Sequence, residues 1–104
     1  MARKMRSRSK AARRDGVVRR TATIVNQRGL HARAAARVAK LAEQFAPRVT
    51  VSANGVSVSA LSIMGLMLLA AGPGTEVEIS ASGQAADEAV AALVALIEAG
   101  FDEE

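Results

Sequence analysis

Apolar and polar residues follow a period of two along some stretches of this chain and a helical period along others. Arg20 to Gln27, RTATIVNQ, is rich in β-branched residues and sets Ala22 and Ile24 two apart, which predicts a first strand ended by Gly29. From Ala32 to Phe45 the positions of Val38, Leu41, Ala42 and Phe45 give a helix with one apolar face, stopped by Pro47. In RVTVSANGVSVSA, Val49, Val51 and Ala53 alternate with polar neighbours, as do Val56, Val58 and Ala60. The Asn54-Gly55 pair between these runs tolerates the positive φ of a two-residue turn, so the segment reads as an antiparallel hairpin. Ser62 then caps a short apolar helix, SIMGLMLLA, ended by Gly72-Pro73-Gly74. TEVEISASG alternates Val77, Ile79 and Ala81 as a last strand. QAADEAVAALVALIEAGF sets Val90, Leu93, Val94, Ile97 and Phe101 on one face of a closing helix that Gly100 ends. The order β-α-β-β-α-β-α in one domain calls for an α+β fold, a largely antiparallel sheet with helices on one face.

Composition narrows the classes. The 104 residues are 50% hydrophobic, enough for one core and one domain without a metal or disulfide staple. Cysteine is absent, which excludes a disulfide scaffold, a thiolate nucleophile and a Cys-ligated metal, and makes a reducing, cytoplasmic setting the simplest expectation. The longest apolar run, Ile63 to Ala71, is far short of the ~20 residues that span a bilayer, and no basic-then-apolar leader opens the chain, so no membrane insertion is expected. Phe45 and Phe101 are the only aromatic residues, too few for a base-stacking platform.

The net charge of +4 is unevenly spread: residues 1–20 hold nine Lys and Arg against Asp15 alone, and residues 21–104 hold five against nine carboxylates. The opening MARKMRSRSKAARRDG lacks apolar periodicity and repels itself, so residues 1–16 read as a disordered or loosely helical extension, with folding from Val17. Attachment to nucleic acid or anionic lipid, contact with an acidic partner, a transit peptide, a non-native start and a solvated tail with no specific role all remain open for it. Phosphate attraction by such a tail carries no sequence specificity, so no specific nucleic-acid partner is assigned.

His31 is the sole histidine and directly precedes the first helix. The free backbone N–H groups at that start, those of Ala32 and Arg33 among them, point outward and form an anion site aided by the helix dipole. The Arg33 guanidinium adds a charge suited to phosphoryl oxygens. A nucleophilic ring and an anion cradle would therefore coincide. Arg28 is a further candidate for electrostatic help, or a solvated loop arginine. Ser62 needs no role beyond its cap. SIMGLMLLA holds more apolar side chains than one buried face accepts, so some of Ile63, Met64 and Met67 should be exposed, where flexible Met suits several partners. One histidine without cysteine supports no metal site, Asp102 and Glu103 read as part of a frayed acidic end, and no phosphate-loop or dinucleotide glycine pattern implies a cofactor.

The string NQRGLHARAAARVAKLAEQF resembles the active-site strand, loop and helix of HPr, the histidine-containing phosphocarrier of the bacterial phosphotransferase system. The ANG hairpin, SIMGLMLLAAGPGTEVEISASG and AVAALVALIEAGFDEE match in the same order, so the resemblance covers residues 18–104. It implies an open-faced β-sandwich of four antiparallel strands with helices on one face. It also implies a domain over residues 17–104, His31 as the residue phosphorylated on Nδ1, and Arg33 as its stabilising neighbour. Ser62 would match a serine phosphorylated by HPr kinase, and Ile63, Met64 and Met67 the docking surface for donor and acceptors. The family usually has proline directly after this arginine, where Ala34 stands, and often lysine where Leu61 stands. By resemblance the chain is a monomeric relay and not an enzyme: enzyme I, charged by phosphoenolpyruvate, phosphorylates His31, which passes the group to an EIIA-type protein. Sugar uptake and the nitrogen-related branch both fit, and a regulatory interaction module switched through Ser62 is the alternative reading.

Overall fold

The computed structural model describes residues 12–14, 16–45 and 48–103. Its strands are β1 (Ala12–Arg14), β2 (Val17–Thr23), β3 (Arg48–Ala53), β4 (Val56–Ser59) and β5 (Glu76–Ser82), and its helices are α1 (Ala32–Ala42), α2 (Ile63–Leu68) and α3 (Ala86–Glu98), with a 3-10 turn at Gly100–Asp102. The sheet runs β1-β2-β5-β3-β4, and every pair is antiparallel. The expected order is present, with four strands forming the open sheet and the helices on one face.

Alternation decides which face is inward. Val18 opposes Ala81 and Ala22 opposes Val77, while Val49 and Val51 oppose Ala81 and Ile79 from the other side. All of these are buried, together with Ala34, Ala35 and Val38 of α1 and Val90, Leu93, Val94 and Ile97 of α3. The opposite face presents Thr21, Thr50, Ser52, Glu78 and Ser80, the polar half of the period-two pattern. The hairpin turn has both central residues at positive φ, Asn54 at 51° and Gly55 at 80°, as its sequence requires. Because β4 is an edge strand, Val56 remains exposed although it shares the alternation.

Four boundaries differ from the sequence reading. The first strand spans Val17–Thr23 instead of Arg20–Gln27, because the chain turns at Asn26 and because Val17, Val18 and Arg19 also pair with β5. Folding also starts before Val17: Ala12–Arg14 pairs with β2 and adds a fifth, edge strand to the expected four. Arg14 opposes Val17, and Gly16 has φ 73°. In the sequence, the Asp-Gly dipeptide at 15–16 is the hairpin signal hidden among the charges. The first helix ends at Ala42 rather than Phe45, with Phe45 partly buried just beyond it. Pro47, the expected stop, and the rest of the basic extension lie outside the described residues. The last helix ends at Glu98, and Phe101 reaches the core from the following turn, at φ 57°.

Candidate functional site

The loop between β2 and α1 is fixed by backbone bonds. The Ile24 N–H donates to the Thr75 carbonyl at 2.9 Å, and the Ile24 carbonyl accepts from Gly74 at 2.8 Å, so the chain stays against the start of β5. Gly29 then turns at φ 65°, where a Cβ would lie 2.5 Å from the Ala71 carbonyl oxygen and 2.9 Å from the Gly72 Cα. The next residue, Leu30, donates its N–H to that same Ala71 carbonyl at 2.9 Å. This latch ties the loop preceding α1 to the segment following α2.

His31 is the N-cap of α1, in extended conformation, and its carbonyl accepts the first helical bond from Ala35 at 2.8 Å. Its Nδ1 accepts from the Arg33 backbone N–H at 3.3 Å, and its Nε2 is hydrogen-bonded to the Glu103 carboxylate. Both contacts are satisfied together when Nδ1 carries the lone pair and Nε2 the proton. Nδ1, with its lone pair, therefore faces the Arg33 N–H at the helix start. The ring is neither buried nor free, with 17% of its side chain exposed.

Glu103 was expected in a frayed end and is instead part of the site. Its second carboxylate oxygen accepts from Asn26 Nδ2 at 2.9 Å, and the same nitrogen donates to the Gly29 carbonyl at 3.0 Å. The buried Phe101 and the positive φ of Gly100, Phe101 and Asp102 curl the chain after α3 back toward the first loop. The bond to His31, and then that from Asn26, hold the Glu103 carboxyl below its ordinary range; partial burial opposes them and the charge of Arg28 adds to them. Asn26 lies 77 positions before Glu103, and its only local signal is that of an ordinary turn residue.

Arg33 is exposed and meets His31 through its backbone N–H. With Arg28, Arg37, Asp102 and Glu103 it lines an open cleft beside the ring. Arg37 and Asp102 stand 3.7 Å apart at the surface, a pair worth ~0–1 kcal/mol. Ala32 opens the helix in an exposed position, and Ala34 is fully buried.

Ser62 caps α2, its Oγ accepting from Gly65 N–H at 2.9 Å, and is exposed. Beyond it the apolar surplus is visible: Leu66 and Leu69 enter the core, whereas Ile63 (41%), Met64 (76%) and Met67 (45%) face solvent together with Leu61 and Leu68. The last two were not singled out from sequence, where each could equally have been core. Among the described residues no group of three or more His, Asp or Glu side chains could hold a metal ion, and no helix is long and apolar enough to cross a membrane.

Comparison with known proteins places this geometry. Residues 18–99 match the family PTS-HPr, described as the PTS HPr component phosphorylation site. The phosphocarrier protein HPr of Cupriavidus necator is 47% identical over 87 residues, 84% of this chain and 98% of that protein. The phosphocarrier protein NPr of Shewanella violacea is 43% identical over 84 residues, covering 81% and 92%. Among solved structures, HPr-C-His from Thermoanaerobacter tengcongensis superposes with TM-score 0.78 at 43% identity, covering 83% of this chain and 97% of that one. HPr from Bacillus anthracis superposes with TM-score 0.76 at 35% identity, covering 80% and 99%. Fold, order of elements and sequence agree, and the chain belongs to the HPr family of phosphocarriers of the phosphotransferase system.

Proposed function

We propose that His31 Nδ1 accepts a phosphoryl group from enzyme I, which draws it from phosphoenolpyruvate, and donates it to EIIA-type proteins. The observation that carries this reading is the His31 ring at the helix N-cap, its Nδ1 lone pair directed at the Arg33 N–H. When Nδ1 bonds to phosphorus, that N–H is free to turn to a phosphoryl oxygen, and the N–H of Ala32 and the helix dipole favour the same charge. The Arg33 guanidinium stands close enough in sequence to add a charge-assisted bond. Catalysis of turnover is not required of the chain; it positions a transferable group. The domain is residues 17–104 with the Ala12–Arg14 strand added at its edge, acting as a cytoplasmic monomer, and both an HPr and an NPr among its relatives keep sugar uptake and nitrogen-related regulation as its two settings.

Ile63, Met64 and Met67 form the docking surface in this reading, since they are exposed on the helix that the Ala71 latch ties to the His31 loop. A second reading, regulation through HPr kinase, is favoured by Ser62 being an exposed cap at the edge of that apolar patch. A phosphate there would place charge where apolar partners dock. The deciding experiment is incubation with phosphoenolpyruvate and enzyme I, followed by mass spectrometry. We expect one acid-labile phosphate on His31, absent from His31→Ala; a phosphate that persists in His31→Ala refutes the carrier reading.

A further inference from the structure

We infer that Glu103, held by Asn26, is a positioning residue for phosphoryl transfer: it grips His31 by Nε2, keeps the proton there, and leaves Nδ1 to the incoming phosphorus. This rests on His31 being the phosphorylated residue. Three features of the molecule carry it. The carboxylate meets the ring nitrogen opposite the one that faces the helix start. Its other oxygen is not left to solvent but is bound by a residue 77 positions away in sequence. Finally, Asn26 is buried, and its Nδ2 serves both Glu103 and the Gly29 turn while its Oδ1 finds no protein partner among the described residues. An unsatisfied buried acceptor is unfavourable, so the orientation of that amide is set by what its nitrogen holds.

The chemistry follows from this arrangement. As the Nδ1 lone pair forms the new N–P bond, the donor's bond to phosphorus breaks and its electron pair leaves with the donor. The Nε2 proton stays in place, and the ring, now bonded through both nitrogens, gains positive charge. The Glu103 carboxylate faces that charge. On delivery the N–P pair returns to Nδ1 as the acceptor's nucleophile takes the phosphorus, and the ring recovers the same neutral form. A carboxylate on the far nitrogen thus fixes orientation and tautomer and compensates charge in the phosphorylated state, as outer partners of reactive histidines do elsewhere.

The test compares wild type, Glu103→Ala and Glu103→Gln in the full chain. With nitrogen-15 in the sole histidine, NMR of the unphosphorylated protein should show a strongly deshielded proton on Nε2, protected from exchange. It should vanish in Glu103→Ala and survive in Glu103→Gln, whose amide oxygen can still accept. In the transfer assay from enzyme I, Glu103→Ala should lower kcat on the order of tenfold with KM unchanged, because docking residues are untouched. Glu103→Gln should lie between. Glu103→Ala at wild-type kcat, or with its loss confined to KM, overturns the inference while leaving the carrier reading intact. Wild-type protein that takes no phosphate on His31 overturns both, and an unprotected Nε2 proton in wild type overturns the contact itself.

Discussion

Gly29→Ala offers the most direct measure of how the backbone holds the site. Gly29 sits at φ 65°, and an added Cβ would be 2.5 Å from the Ala71 carbonyl oxygen and 2.9 Å from the Gly72 Cα. Both neighbours are main chain, so no side-chain rotation can relieve the overlap. A left-handed conformation costs an L-residue roughly 1–2 kcal/mol. Separating the two segments also forfeits the Leu30 N–H bond to Ala71, a net loss of about 0.5–1.5 kcal/mol. The expected destabilisation is therefore about 1.5–3.5 kcal/mol, and at about 4–8 °C per kcal/mol for a domain of this size the melting temperature should fall by roughly 6–28 °C. The control is Gly55→Ala. Gly55 has φ 80° but nothing within 4 Å of its added Cβ, so it carries only the dihedral part. Urea and thermal denaturation of both variants, with phosphorylation of His31 measured under folding conditions, isolate the contact. If Gly29→Ala is no less stable than Gly55→Ala, the latch between the His31 loop and the segment after α2 does not hold the loop, and the reasoning fails.

Other outcomes follow from the same geometry. Ser62→Ala removes the side-chain bond to Gly65 and should cost about 0.5–2 kcal/mol in urea unfolding while leaving phosphorylation of His31 in place; an unchanged midpoint would show that the cap contributes nothing. Met64→Asp alters a side chain that is 76% exposed, so stability should move by no more than about 0.5 kcal/mol, whereas KM for transfer from enzyme I should rise at least ~tenfold. A normal KM would remove Met64 from the docking surface. Glu103 has a folded-state carboxyl pKa below its ordinary 4.5, so over that interval the unfolded chain binds more protons. The stability it contributes is present above that ordinary value and is lost as pH falls through the lowered one. Subtracting the pH–stability curve of Glu103→Gln from that of wild type should reveal a loss confined to this acidic window; parallel curves would contradict the bond to His31.

How much of this was legible in the sequence depends on how local each feature is. Val77, Ile79 and Ala81 alternate and are all buried in β5. The Asn54-Gly55 turn follows from two residues whose backbones tolerate positive φ. His31 at a helix start and Ser62 as a cap are equally short-range facts, decided within four residues. The exposed methionines were legible only in number: the surplus of apolar side chains in SIMGLMLLA was plain, but which of them the core takes depends on α1 and β4 lying against that helix.

Period, turn chemistry and capping act over a few bonds, and for that reason the chain by itself determined the order of its elements, the inward face of each strand and the place of its sole histidine. The sheet decided the rest. Pairing with β2 drew Ala12–Arg14 out of a segment whose charges masked its Asp-Gly signal. Burial of Phe101 beyond the end of α3 brought Glu103 to the His31 ring and Asn26 to Glu103, contacts across 72 and 77 residues. No local preference encodes such a meeting, because it exists only once the core has fixed where two distant turns lie.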